Sequence, residues 1–393
     1  MTSELQAAGD RALRRAVEGT PGVPGIVAVA TDGQRTIFEG AAGVRALGRD
    51  APMTLDTVFA IYSATKPITA TAVLQLVESG RLDLDAPAKD YIPALGTVQV
   101  LDGYDDAGAP ILRAPKSDIT LRMLLTHTAG FGYDFCDPHY RKLAELSGRQ
   151  RLTDGPETLL TPLLFDPGQR WQYGANIEWA GLIVEALTGQ RLGTYLREHV
   201  LEPLGMHDTG FSLTGTMGDR LATVHQRGPD GRLTAAHRTE LPPPPSWDRG
   251  GGGMYSTAPD YARFMRLWLG DGSGVLRPET VRMAAENAMG DLKVTMLPGV
   301  MRHLSNDAEF FPGMPKSWGL SFMINDEAAP TGRPAGSLAW AGLANIYFWI
   351  DRTTGVAGFW ASQVLPFVDP AAIDGFYAFE TAIYRALTQQ KAA

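Results

Sequence analysis

Two copies of one pattern, set at opposite ends of the chain, constrain its fold more than any other feature of the sequence. Near the start, Gly25-Ile26-Val27-Ala28-Val29-Ala30 and Arg35-Thr36-Ile37-Phe38 are β-prone runs joined through Asp32-Gly33, a strong hairpin signal. Near the end, Asn345-Ile346-Tyr347-Phe348-Trp349-Ile350 and Val356-Ala357-Gly358-Phe359-Trp360-Ala361 flank a turn at Asp351 to Gly355. An amphipathic helix precedes the first hairpin, and a helix from about Pro370 to Thr388 follows the second. A lone hairpin is marginal in water, so the economical solution places both in one antiparallel sheet with the terminal helices packed on it.

The middle of the chain is then an insertion, and it is helix-rich. Leu121 to His127, the charged run around Tyr140 to Leu146, and Asn176 to Leu187 all carry helical periodicity. The expected fold is α+β, an antiparallel sheet from both chain ends flanked by helices, with an inserted helical subdomain. The sheet domain is expected at 1–81 and 190–393 and the helical domain at 82–189, with the active site in the cleft between them. A length of 393 residues agrees with two parts, because single cores stop growing before that size. Pro242 to Pro245 form a stiff stretch, followed by Trp247 and by Gly250-Gly251-Gly252-Gly253. That order suits a loop rimming the cleft, with Trp247 as a substrate contact, and equally a plain surface crossing.

Composition removes several classes of function. A formal net charge of -8, with no local cluster of Lys and Arg, argues against nucleic acid. The single cysteine, Cys136, rules out an internal disulfide framework and reads as an inert buried thiol. No run of about eighteen apolar residues exists to span a bilayer. The N-terminal helix lacks the apolar core of a secretory signal, so the expected location is cytoplasmic. The seven histidines, at 127, 139, 199, 207, 225, 237 and 303, show no metal-ligand spacing, and His127 reads as a structural histidine. No Gly-x-Ser-x-Gly elbow and no phosphate loop ending in Gly-Lys-Ser or Gly-Lys-Thr is present. No metal and no organic cofactor is implied, and the oligomeric state is open.

One motif carries chemistry. Ser63-Ala64-Thr65-Lys66 stands just before a helical pattern over Ile68 to Ser79, and three-residue spacing puts Ser63 and Lys66 on one face. At a helix N-terminus, unpaired N–H groups and the dipole favour an alkoxide and later an oxyanion. Lys66 acts as a base only when neutral, which requires burial to lower its pKa from about 10.4. Alone, the motif also fits a serine cap with a solvated lysine. Two features favour the reactive pair: this is the only Ser-x-x-Lys in the chain, and Val58-Phe59-Ala60-Ile61 would bury it.

That motif, followed by Tyr91-Ile92-Pro93 and by Leu121-Arg122-Met123-Leu124-Leu125-Thr126-His127-Thr128-Ala129-Gly130, resembles the class C β-lactamase and penicillin-binding-protein superfamily, in particular its family VIII carboxylesterase branch. The similarity continues through Asp166-Pro167-Gly168, Leu201-Glu202-Pro203-Leu204-Gly205-Met206 and Gly252-Gly253-Met254-Tyr255-Ser256-Thr257-Ala258. The resemblance implies that Tyr173 shares a proton with Lys66 and assists as base, which a phenol does where positive charge stabilises its phenolate. Asn176 falls one place late for the family's Tyr-x-Asn and reads as a helix cap. In place of Lys-Thr-Gly stands Trp340-Ala341-Gly342-Leu343, which matches the Trp-x-Gly of the esterase branch. The backbone N–H groups of Ser63 and Leu343 then form the oxyanion hole, and the small Gly342 lets substrate lie along the strand.

Trp340 offers apolar area without charge, which favours small, uncharged esters. Tyr133 and Phe135 are further candidates for the pocket, with core packing an equal alternative for Phe135. The expected activity is a serine carboxylesterase working through an acyl-enzyme on Ser63. The alternatives are an acyltransferase moving the acyl group to an alcohol or amine, a β-lactamase or D-alanyl peptidase, and a non-catalytic binding protein of the same fold.

Overall fold

The computed structural model describes residues 3–148, 155–236 and 240–392; His237 lies outside them. In chain order, the strands that matter for the site are β1 (Gly25–Asp32), β2 (Thr36–Gly43), β3 (Val58–Ala60), β4 (Tyr255–Thr257), β5 (Lys316–Trp318), β6 (Met323–Asn325), β7 (Leu338–Gly342), β8 (Ile346–Asp351) and β9 (Val356–Ala361). The principal helices are α1 (Ser3–Glu18), α2 (Lys66–Glu78), α3 (Asn176–Thr188), α4 (Leu192–Leu196), α5 (Ala258–Leu269) and α6 (Pro370–Ala392).

Seven strands form one sheet in the order β2-β1-β9-β8-β7-β6-β5, so the two ends of the chain meet in its middle. The β1–β9 pairing is antiparallel, with Val27 opposite Ala361 and Asp32 opposite Val356. Both hairpin turns are closed by an aspartate whose Oδ1 accepts two backbone N–H groups: Asp32 from Gln34 and Arg35, Asp351 from Thr353 and Thr354. The second strand runs on to Gly43, past the Phe38 where sequence signal fades, because the small residues of Glu39-Gly40-Ala41-Ala42-Gly43 have no β-prone side chains.

Strands β8 and β9 are buried along their whole length, because helices cover both faces of the sheet. Alternation sorts their aromatics. Phe348 and Phe359 pack on Tyr261 of α5, with ring centroids 5.2 and 4.5 Å away. Trp349 and Trp360 turn to the opposite face and meet Phe379 of α6 at 5.9 and 6.0 Å. Helix α1 packs alongside α6 on that same face.

The middle of the chain is not purely helical. Val100–Tyr104 and Pro110–Arg113 pair as a short antiparallel hairpin. Its strands are largely exposed, so no burial alternation marks them in the sequence. Helices α2, α3 and α4 pack on one another, and α4 lies past residue 189, so this group extends beyond the expected 82–189 segment at both ends. Among the described residues no helix is long and apolar enough to cross a membrane, and no group of three or more His, Cys, Asp or Glu stands ready to hold a metal ion.

Candidate active site

Strand β3 delivers the chain to the site. It pairs with β4, and the Ile61 N–H continues that pairing by donating to the Met254 carbonyl at 3.0 Å. Tyr62 then takes a left-handed φ of 46°, an unfavourable conformation for a bulky residue, and Tyr62–Thr65 form one turn of 3-10 helix before α2 begins at Lys66. Ser63 therefore sits on a tight turn ahead of α2 rather than at its first residue. Pro67 occupies the first turn of α2, where its missing N–H costs nothing. The turn is held from outside: Tyr261 Oη donates to the Ala64 carbonyl at 3.0 Å, and Thr65 Oγ1 accepts from the Met254 N–H at 3.2 Å.

Lys66 is fully buried. Its Nζ lies 3.0 Å from Ser63 Oγ and 3.4 Å from Tyr133 Oη, and it donates to the Gly251 carbonyl at 2.5 Å. Burial lowers its pKa to about 7, against the opposing pull of the Glu178 charge. A lysine this close to neutrality at physiological pH can take the Ser63 proton as Oγ attacks a carbonyl.

Tyr173 stands beside this pair. Lys66 Nζ is 4.8 Å from its ring centroid, and Trp340 Nε1 donates to its Oη at 3.2 Å. Burial pushes its phenol well above the ordinary range, outweighing the hydrogen bonds from Ser63 and Trp340. Tyr173 is therefore a protonated phenol in the resting site, its oxygen accepting from Trp340. Trp340 was expected to supply apolar area alone, yet it also orients Tyr173 through its indole N–H.

Strand β7 passes directly over the Ser63 turn. A Cβ on Gly342 would lie 2.3 Å from the Ile61 carbonyl oxygen, so glycine is what lets the strand approach Ser63. Two cavities meet there. The larger, about 310 Å³, is lined by Ser63, Tyr133, Phe135, Glu178, Arg249 and Leu343. A much smaller one, about 20 Å³, is lined by Ser63, Cys136, Tyr173, Trp340, Gly342 and Leu343, with Phe135 also on its wall. Tyr133, Phe135, Trp340, Gly342 and Leu343 are thus all brought to Ser63.

Trp247 is not. It lines neither cavity and is buried in the core, where the neighbouring Asp248 carboxylate takes Arg191 at 2.6 Å and the Gly193 N–H at 2.9 Å. Those bonds fix the segment against α4 and turn Trp247 away from the cleft. Asn176 is no cap either. Ala175 holds the cap position of α3, and Asn176 Nδ2 donates to His127 Nδ1 at 2.9 Å. Burial, then the Lys66 charge, keep His127 far below its usual pKa, so its imidazole is neutral. Burial and the Asp137 charge push the Cys136 thiol far up, and no thiolate forms near neutrality.

Sequence reading missed Glu178 and Arg249, which make the larger cavity charged rather than uniformly apolar. Of the two readings offered for the four glycines, a loop at the cleft is the one that agrees with the structure. Gly250 accepts from Thr69 Oγ1 at 2.8 Å and Gly251 accepts from Lys66, so the run is a wall of the site that presents carbonyl oxygens to α2. A larger hollow of about 790 Å³ lies elsewhere, between α1, α6 and the Phe311 to Thr331 segment, and holds none of these groups.

The profile of the β-lactamase family matches residues 11–383 of this sequence. The chain belongs to the β-lactamase family. Among family relatives, monacolin J acid methylbutanoyltransferase of Aspergillus terreus is 33% identical over 396 residues, covering 95% of this chain and 94% of the relative. Lovastatin esterase of Penicillium rubens is 31% identical over 396 residues, covering 96% and 98%. A simvastatin synthase variant from Aspergillus terreus has the same fold, with a TM-score of 0.85 at 31% identity over 98% of this chain and 96% of that one.

Proposed function

We propose that this protein is a serine acyltransferase that loads an acyl group from an ester donor onto Ser63 and passes it to an alcohol, with water as the competing acceptor. The chemistry rests on one observation above all: a buried lysine with a pKa of about 7 stands 3.0 Å from the Ser63 hydroxyl. Ser63 Oγ bonds to the acyl carbon as its proton moves to Lys66 Nζ. The oxyanion is met by the backbone N–H groups of Ser63 and Leu343. Collapse expels the donor alcohol, which leaves with a proton from Lys66 relayed by the Tyr173 phenol. The acceptor alcohol then gives its proton to Lys66, attacks the acyl-enzyme, and Ser63 regains its hydrogen.

Transfer ranks above hydrolysis because acyltransferases recur among the relatives that are 31–33% identical to this chain. The larger cavity at Ser63, about 310 Å³, has room for a small ester. Hydrolysis is the second reading, favoured by the similarity to lovastatin esterase. Incubating the protein with a nitrophenyl ester of a short branched acid and a panel of alcohols, and measuring new ester against free acid, separates the two. New ester in excess at millimolar alcohol supports transfer, and acid alone overturns it. Activity retained by Ser63→Ala would overturn both.

A further inference from the structure

Glu178 is a carboxylate placed where burial raises its pKa, with the charges of Arg249 and Lys66 and the Gly251 N–H opposing that rise. It lies in the first turn of α3, almost wholly buried, and its wall of the larger cavity adjoins Ser63. Its Oε2 accepts the Gly251 N–H at 2.9 Å. The other side of the same residue, the Gly251 carbonyl, receives Lys66 Nζ at 2.5 Å. Gly251 thus stands between the acid and the lysine, bonded to each. A Cβ at this position would lie 2.6 Å from Glu178 Oε1 and 3.2 Å from Tyr133 Oη, so glycine is required for the carboxylate to close on the loop.

Building on the acyl-transfer reading, we propose that Glu178 is a positioning residue for proton transfer: it holds Gly251 so that its carbonyl faces Lys66, and its charge favours the protonated lysine formed as Ser63 attacks. The groups around Lys66 leave this role to Glu178. Ser63 comes from its own turn, His127, Tyr133 and Cys136 from the segment after Leu125, Tyr173 from the segment before α3, and Arg249 from the glycine-rich loop. Burial holds His127 neutral and the Tyr133, Tyr173 and Cys136 protons in place. Arg249 opposes a charged lysine, and Glu178 is the largest charge acting in its favour. Burial presses the Lys66 pKa down. The carboxylate offsets that.

The test is the pH dependence of Ser63 acylation, read as the burst of nitrophenol from a short nitrophenyl ester, in wild type and Glu178→Gln. The amide still accepts the Gly251 N–H but carries no charge. The acidic limb, centred near the Lys66 pKa of about 7 in wild type, is expected to move down by about one pH unit in the variant. A purely structural role lowers the amplitude and leaves the limb in place, and an unmoved limb overturns the proposal. Should Glu178→Gln fail to fold, Glu178→Asp carries the test: withdrawing the carboxylate by one methylene is expected to lower the limb by a smaller amount, and no movement again overturns it. Absence of any burst in wild type overturns the acyl-transfer reading, and this one with it. A normal burst with an unmoved limb overturns this one alone.

Discussion

Replacing Lys66 with methionine should stabilise the protein near neutrality while abolishing its chemistry. Lys66 is fully buried and titrates near 7, whereas in the unfolded chain it titrates near 10.4. Below pH 7 both states hold the proton; between about 7 and 10.4 the unfolded chain holds more protons, so this group's contribution to stability rises with pH across that window. At pH 7 the shift amounts to about 4 kcal/mol of stability withheld. The variant forfeits the hydrogen bonds to Ser63 Oγ and the Gly251 carbonyl, about 1–2 kcal/mol together. Methionine is unbranched and fills a lysine-shaped space. The net gain at pH 7 is then roughly 2–3 kcal/mol, and it should shrink by about 2 kcal/mol by pH 9 as wild-type Lys66 sheds its proton in the native state. Urea unfolding of both proteins at pH 7 and pH 9 measures this difference, in which groups common to both cancel. A variant less stable than wild type at pH 7, with a gap that does not change with pH, would refute the reasoning.

Two further substitutions probe the wall opposite Lys66. Trp340→Phe keeps the ring but removes the indole N–H that holds the Tyr173 phenol at 3.2 Å; kcat for acyl release should fall roughly 5- to 10-fold, as expected for losing about 1 kcal/mol of orientation, with little change in unfolding midpoint. An unchanged kcat would remove Trp340 from the proton network. Gly342→Ala should cost at least about tenfold in the acylation burst, because its Cβ would press on the Ile61 carbonyl from 2.3 Å and force β7 off the nucleophile's turn; a wild-type burst would mean the strand yields without consequence.

The parts legible in the sequence were those with strong local codes. Asp32 and Asp351 close turns with their own side chains, and the strands around them are β-branched or aromatic, so both hairpins and their terminal helices could be read directly. Ser63 and Lys66 were legible because three-residue spacing fixes their proximity in either kind of helix. What escaped depended on neighbours distant in the chain. Strands β5 and β6 are three residues each and exist as strands because β6 pairs with β7 and β5 with β6. Asn176 looked like a cap because asparagine usually is one, but His127, 49 positions away, takes its amide. Glu178 stands in the first turn of a helix, where an acid needs no further explanation, and only the packing of the glycine-rich loop gives it the Gly251 N–H as a partner. Trp247 sat between stiff and flexible segments as a rim residue should, yet the ion pair from Arg191 to Asp248 swings it inward.

The pairing of β1 with β9 has a consequence for how the protein comes into being. Strand β1 leaves the ribosome early and pairs at once with β2, but finds its second hydrogen-bonding neighbour only after β9 has followed, more than 300 residues later, as the Asp32 to Val356 register requires. At typical synthesis rates of about 5–20 residues per second, that is a wait of about 15–60 s with one edge of the N-terminal hairpin unpaired. Nor can strand β7 be secured over the Ser63 turn before β8 has emerged to pair with it and β9 to join β8 to β1. The catalytic turn is therefore among the first parts made and the last completed, so no nascent chain released short of its final strand can carry a finished site.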